Sequence, residues 1–171
     1  GSSLFQFCCT RRAVPCAELL ARRGILVRLF TELDSLRFGL PADEAGWQRL
    51  QHTAQAANSP WLRHVPGEFE LFQWHGDTFD LPPGAQHVLS NGWCQNQAFT
   101  WGDKVLALQS HPEMTAELVD LWLTEAGYLL DASQPSQQSI AFMRENLPQR
   151  IAQLNQVAEG FYRHWLQLAF A

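Results

Sequence analysis

The sequence predicts an α/β domain built on an open, mostly parallel sheet flanked by helices, with further helices at its C-terminal end. Three observations carry this expectation. Two short apolar runs bracket a helix-like segment in the first thirty residues, short alternating segments fill residues 69–109, and from Thr115 onward apolar residues recur at spacings of three and four.

Leu4 to Cys9 is a short apolar run and reads as a buried strand, followed by a loop from Thr10 to Pro15. Pro15 to Arg23 reads as a helix, with proline near its start, Leu19 and Leu20 apolar, Arg22 and Arg23 in the last turn and Gly24 as the stop. Ile25 to Phe30, rich in Ile, Val and Leu, reads as a second strand. Strand, helix and strand with short joints form a βαβ unit, which implies parallel pairing and a right-handed crossover. From Thr31 to Asn58 the pattern leaves two readings open. Asp43 and Glu44 open a helix through Trp47, Leu50 and Ala54, or Trp47 to Thr53 is a strand.

The next stretch is β in character. Phe69 to Trp74 alternates apolar and polar residues, and His87 to Ser90, Gln97 to Trp101 and Lys104 to Gln109 are further short strands. Gly102-Asp103 is a hairpin turn between the last two. After Pro112, Thr115 is an N-cap, Leu118, Val119 and Trp122 share a helix face, and Gly127 stops the helix. In the tail, Ile140, Met143, Leu147, Ile151, Leu154, Ala158, Phe161, Trp165 and Leu168 form an amphipathic stripe that Pro148 splits, with Asn146 capping the second piece. The stripe is expected to pack on the domain's own sheet, with a subunit interface as the alternative.

Composition narrows the function classes. Hydrophobic residues make up 46% and charged residues 17% of 171 residues, which is a globular balance. The formal charge of −5 gives a nucleic-acid partner no electrostatic support. No apolar run reaches the roughly 20 residues of a membrane span. Cys8, Cys9, Cys16 and Cys94 fit neither a paired metal motif nor a dense disulfide framework, so a reducing, cytoplasmic setting is expected. His52, His64, His87 and His164 show no metal-ligand spacing, and neither metal nor cofactor is expected.

The residues with chemistry to offer are His111-Pro112-Glu113. A strand delivers them to a strand-to-helix turn, where a histidine can take a proton from a nucleophile while a carboxylate two residues on holds the other ring nitrogen. Taken alone, the tripeptide is better read as a surface turn. About thirty residues earlier stands Phe72-Gln73-Trp74-His75-Gly76-Asp77-Thr78-Phe79-Asp80-Leu81-Pro82, followed by Asn96-Gln97-Ala98-Phe99 and then Leu108-Gln109-Ser110-His111-Pro112-Glu113.

This order and spacing resemble the class I glutamine amidotransferases, in particular stand-alone proteins similar to the glutaminase domain of GMP synthase. The likeness is specific over residues 60–130. Glu44 to Thr53 and Ser59 to Pro66 resemble the segment just upstream, residues 4–30 resemble the family's opening strand, helix and strand more loosely, and the tail resembles the C-terminal helices of the stand-alone members. The resemblance implies a flavodoxin-like α/β domain over residues 1–130 and a helical extension over 131–171 packed on it. It implies hydrolysis of the side-chain amide of glutamine by a Cys-His-Glu triad, with His111 as base, Glu113 as its orienting carboxylate, and the His75-Gly76-Asp77 turn beside the glutamine pocket. A γ-glutamyl hydrolase-type relative is an alternative, as is a catalytically inactive binding module. The implied partners are glutamine, an ammonia-accepting enzyme, or a second copy docked through the C-terminal helices.

The sequence departs from the family at the nucleophile. The family's Gly-x-Cys-x-Gly elbow and its Gly-Gly-Pro-type oxyanion loop have no counterpart, and only about fifteen residues, Thr31 to Ala45, stand where both belong. Cys94 lacks flanking glycines and reads as a small buried hydrophobe; Cys8 and Cys9 end a strand without an elbow, and Cys16 reads as helix packing. Either an internal block of a longer enzyme is missing near 31–45, or the chain is a shortened relative that has lost glutaminase chemistry.

Overall fold

The computed structural model describes residues 6–9, 11–21, 28–30, 35–38 and 44–169. The chain folds as two compact units, Gly1–Pro41 and Ala42–Ala171, so the boundary falls inside the stretch where the family pattern breaks.

In the first unit, β1 (Gln6–Cys9), α1 (Ala13–Ala21), β2 (Arg28–Phe30) and β3 (Ser35–Phe38) follow one another. The strand order is β1-β3-β2, and β3 runs antiparallel to both neighbours. This corrects the expected βαβ unit. β1 and β2 do share a direction, but β3, which the sequence reading missed, lies between them. The connection from β2 to β3 is too short for a crossover, so the chain must return antiparallel. The expected strand starts at 4–5 and 25–27 and the helix end at 22–24 lie outside the described residues.

The second unit holds a five-stranded sheet of β4 (Glu44–His52), β5 (Glu68–His75), β6 (Gln86–Ser90), β7 (Ala98–Trp101) and β8 (Val105–Leu108), in the order β5-β4-β6-β7-β8. The strand reading of the segment after Glu44 therefore holds and the helix reading does not. Every ladder among the described residues is antiparallel; a parallel contact occurs as the isolated bridge Ala45–Gln137. The architecture is α/β, but the expected mostly parallel sheet is corrected to an antiparallel one. The joints from β6 to β7 and β7 to β8 lack the dozen or more residues that a parallel crossover needs. The β7–β8 turn is the expected hairpin, with Gly102 at φ 58°.

The long β4–β5 ladder sets the core. Trp47 lies opposite Phe72, and their rings meet edge to face at 5.1 Å. Leu50, Leu71, Leu89, Met114, Met143, Leu154 and Phe161 are buried around them. The helices close this core. α2 (Ala116–Ala126) starts where the Thr115 side chain accepts from the Leu118 N–H. α3 (Ile140–Arg144) starts likewise at Ser139, and α4 (Leu147–Ala169) starts at Asn146, φ 52°, with Pro148 in its first turn. α4 packs on the sheet, where Phe161 meets Phe69 at 6.1 Å between ring centres and Arg150 pairs with Glu70 at 2.5 Å, and α3 is tied to it by the Trp47 indole N–H, which donates to the Met143 carbonyl at 2.9 Å. Tyr162, Trp165 and Leu166 of α4 stay exposed.

The sheet is curled. The backbone N–H of His111, just past β8 at one edge, donates to the Phe72 carbonyl of β5 at the other edge (2.9 Å). That closure brings the His-Pro-Glu turn against the strand that ends in His75.

Candidate active site

His111 stands three residues beyond β8 and five before α2. Its backbone is tied to Phe72, Pro112 and Met114 are buried beneath it, and its ring meets Trp122 of α2 edge to face at 4.9 Å. Trp122 in turn packs on Trp74 of β5 at 6.1 Å. Successive edge-to-face aromatic contacts thus hold the imidazole.

Nδ1 of His111 lies 2.7 Å from Glu113 Oε1. A carboxylate accepts, so Nδ1 carries a proton, and in the neutral ring Nε2 keeps its lone pair. Among the described residues Nε2 has no hydrogen-bond partner. The His111 side chain is 26% exposed and that of Glu113 54%. Tyr162 of α4 also senses this dyad: burial and then the Glu113 carboxylate push its phenol above the ordinary value of 10.0.

His75 lies at the end of β5 and is turned into the protein. Its Nδ1 donates to the Asp77 carbonyl at 2.9 Å, and its Nε2 lies 3.0 Å from Glu44 Oε2. Gly76 and Asp77 are half-buried in the turn that follows. The sequence reading missed Glu44, which is fully buried at the start of β4 and also takes bonds from Asn91 and Gln97. An acidic residue heading the apolar run Ala45-Gly46-Trp47 was the available signal.

The buried Cys94 thiol donates to Thr78 Oγ1 at 3.2 Å, and the Gln109 side-chain amide donates to its sulfur at 3.6 Å. Among the described residues, none of the bonds of its sulfur involves His111. Cys8, Cys9 and Cys16 belong to the other unit. Among the described residues, no group of His, Cys, Asp or Glu is arranged to hold a metal ion, and no helix is long and apolar enough to cross a membrane.

A carboxylate-oriented imidazole at a strand-to-helix turn is an arrangement able to accept and return a proton, and among the known proteins that the chain resembles are amidotransferases. A glutamine amidotransferase structure from Methylobacillus flagellatus matches with a TM-score of 0.67 and 39% identity, covering 75% of this chain and 53% of that one. A Saccharomyces cerevisiae protein provisionally named a glutamine amidotransferase is 37% identical over 60 residues, 34% of this chain and 24% of that protein. A threonine-phosphate decarboxylase of Pseudomonas aeruginosa is 56% identical over 50 residues, 29% of this chain and 15% of that enzyme. No family model matches the chain. The chain is class I glutamine amidotransferase-like. It spans about half the length of the solved amidotransferase and a smaller share of the two curated relatives.

Proposed function

We propose that this chain carries the base half of a glutamine amidotransferase that hydrolyses the side-chain amide of glutamine to glutamate and ammonia. The observation behind this reading is the His111–Glu113 bond at 2.7 Å, which leaves Nε2 of the neutral ring able to act as a base. In the proposed reaction Nε2 takes the proton of a thiol. The thiolate attacks the amide carbon, the amide nitrogen leaves as ammonia with the proton from His111, and water then releases glutamate from the thioester. Glu113 steadies the imidazolium that forms in between. The nucleophile is left unassigned, because Cys94 is buried and bonded elsewhere. The likeness to a decarboxylase covers too small a share of that enzyme to carry its reaction here. A solvent-facing setting such as the cytoplasm suits this chemistry, with an ammonia-accepting enzyme or a second copy as partner.

The test is glutamate release from L-glutamine by the full chain, with His111→Ala and Glu113→Gln alongside. Turnover abolished in the first variant and reduced by about 10² or more in the second supports the assignment. Turnover unchanged in His111→Ala overturns it. Labelling with an electrophilic glutamine analogue, read by mass spectrometry, identifies the reacting cysteine. If the chain binds L-glutamine without turnover or labelling, the inactive binding module replaces the enzyme.

A further inference from the structure

The Glu44 carboxylate is buried completely, yet nothing in the proposed reaction uses it. Its oxygens receive donors from three separate places. Asn91 Nδ2 bonds Oε1, while Gln97 Nε2 and the His75 ring approach Oε2. Both ring nitrogens of His75 face acceptors, because Nδ1 points at the Asp77 carbonyl. One proton is therefore shared along the Nε2–Oε2 line. Either an imidazolium donates to the carboxylate, or the protonated acid donates to a neutral ring; the pair is neutral both ways.

From this pair, bonds lead to the turn at 76–80, to the loop at 91–97 and to the chain just before His111. His75 holds Asp77 and so the turn at 76–80. Asn91 uses its own Oδ1 to hold the N–H groups of Trp93 and Cys94, and Asn96 ties this loop to the first by donating to the Phe79 carbonyl at 2.8 Å. The Gln97 carbonyl accepts from the N–H of Gln109, two residues before the base. A buried ionisable pair is expensive to fold and is seldom the most stable filling for its site, whereas three charge-assisted bonds radiating to converging loops fix geometry well.

We propose that Glu44 and His75 are positioning residues: a buried clamp that sets the loops 76–80 and 91–97 relative to His111, forming the wall against which the glutamine side chain is held. The wall's ligand rests on the function proposed above; the clamp itself does not. Replacement of Glu44 by Gln keeps the volume but puts an NH₂ group against at least one of three converging donors. Asn91 cannot turn over to meet it without releasing Trp93 and Cys94, so the strain falls on His75 and Gln97.

The experiment uses the full chain, wild type and Glu44→Gln, with Asn91→Ala as a milder variant. Amide exchange in 76–80 and 91–97 is expected to speed up at least about tenfold while β4, β5 and α4 keep their protection. Imidazole NMR is expected to show, for wild-type His75, a downfield proton shared with Glu44 that vanishes in Glu44→Gln. Exchange that is unchanged in both variants, or loss spread evenly over the unit, overturns the clamp, as does a wild-type His75 lacking the shared proton. Titration with L-glutamine separates the two levels. Affinity lowered about tenfold or more in Asn91→Ala supports a wall for glutamine. No binding by wild type, with the exchange result intact, overturns the glutamine wall and the proposed function and leaves the clamp standing.

Discussion

Replacement of Gly46 by alanine tests how tightly the strand that carries Glu44 is held. Gly46 sits at φ 108°, a conformation costing an L-residue about 1–2 kcal/mol. Its added Cβ would fall inside contact distance of Gln138 Oε1 and 3.0 Å from Gln138 Cβ and Cδ. Gln138 has little freedom to retreat. Its backbone N–H donates to Ala45, its Oε1 accepts from the Trp47 N–H at 2.7 Å, and its Nε2 donates to the Trp47 carbonyl at 2.5 Å. Moving it gives up both side-chain bonds, at about 1 kcal/mol each. The expected destabilisation is about 3–4 kcal/mol, a large part of a typical domain's stability and roughly 10–15 °C in Tm. Thermal and urea unfolding by circular dichroism measure it, together with Gln138→Ala and the double variant. Because both single changes release the same two bonds, the double variant should be about 2 kcal/mol more stable than additivity requires. A Gly46→Ala cost below about 1 kcal/mol, or strict additivity in the cycle, refutes this account of how Gln138 holds β4.

Two further outcomes concern titration. Burial lowers the His52 pKa from 6.5, and its Nε2 is buried without a partner. The unfolded chain then binds more protons just below pH 6.5, so stability is full above that value and falls as the solution is acidified through it. His52→Leu should flatten the slope in urea midpoints taken on either side, and an equal slope in both proteins would exclude His52 as its source. Tyr162 is raised above 10.0 first by burial and then by Glu113. Glu113→Gln should move its phenolate absorbance titration to lower pH while leaving it above the ordinary value, and an unmoved curve would mean that α4 does not sense the dyad.

Local chemistry was legible wherever neighbours in sequence decide the structure. Thr115 caps α2 because a hydroxyl at the start of an apolar periodic run meets the free N–H groups there. Gly102-Asp103 turns a hairpin because glycine accepts φ 58°. The His111–Glu113 pair was legible for the same reason, since a separation of two across a proline turn lets the two side chains meet. The 44–52 strand was ambiguous. Five consecutive residues, Glu44 to Gln48, are buried on both sides of the pleat, so period-two alternation is blurred.

Strand direction was misread because periodicity reports which face is buried and says nothing of the partner. β3 was missed because four residues, Ser35–Phe38, leave almost no pattern, and β3 turns an expected parallel pair into two antiparallel ones. Glu44 and His75 lie 31 positions apart, and only the register that sets Glu44 opposite His75 brings them together. By itself the sequence determined the amidotransferase-like motifs, the helix caps and the pairing of His111 with Glu113, all of which depend on short-range geometry and residue chemistry. The tertiary structure alone decided the antiparallel sheet, the closure of His111 onto Phe72 and the burial of Glu44, because these depend on which distant backbone fills each open hydrogen-bond edge.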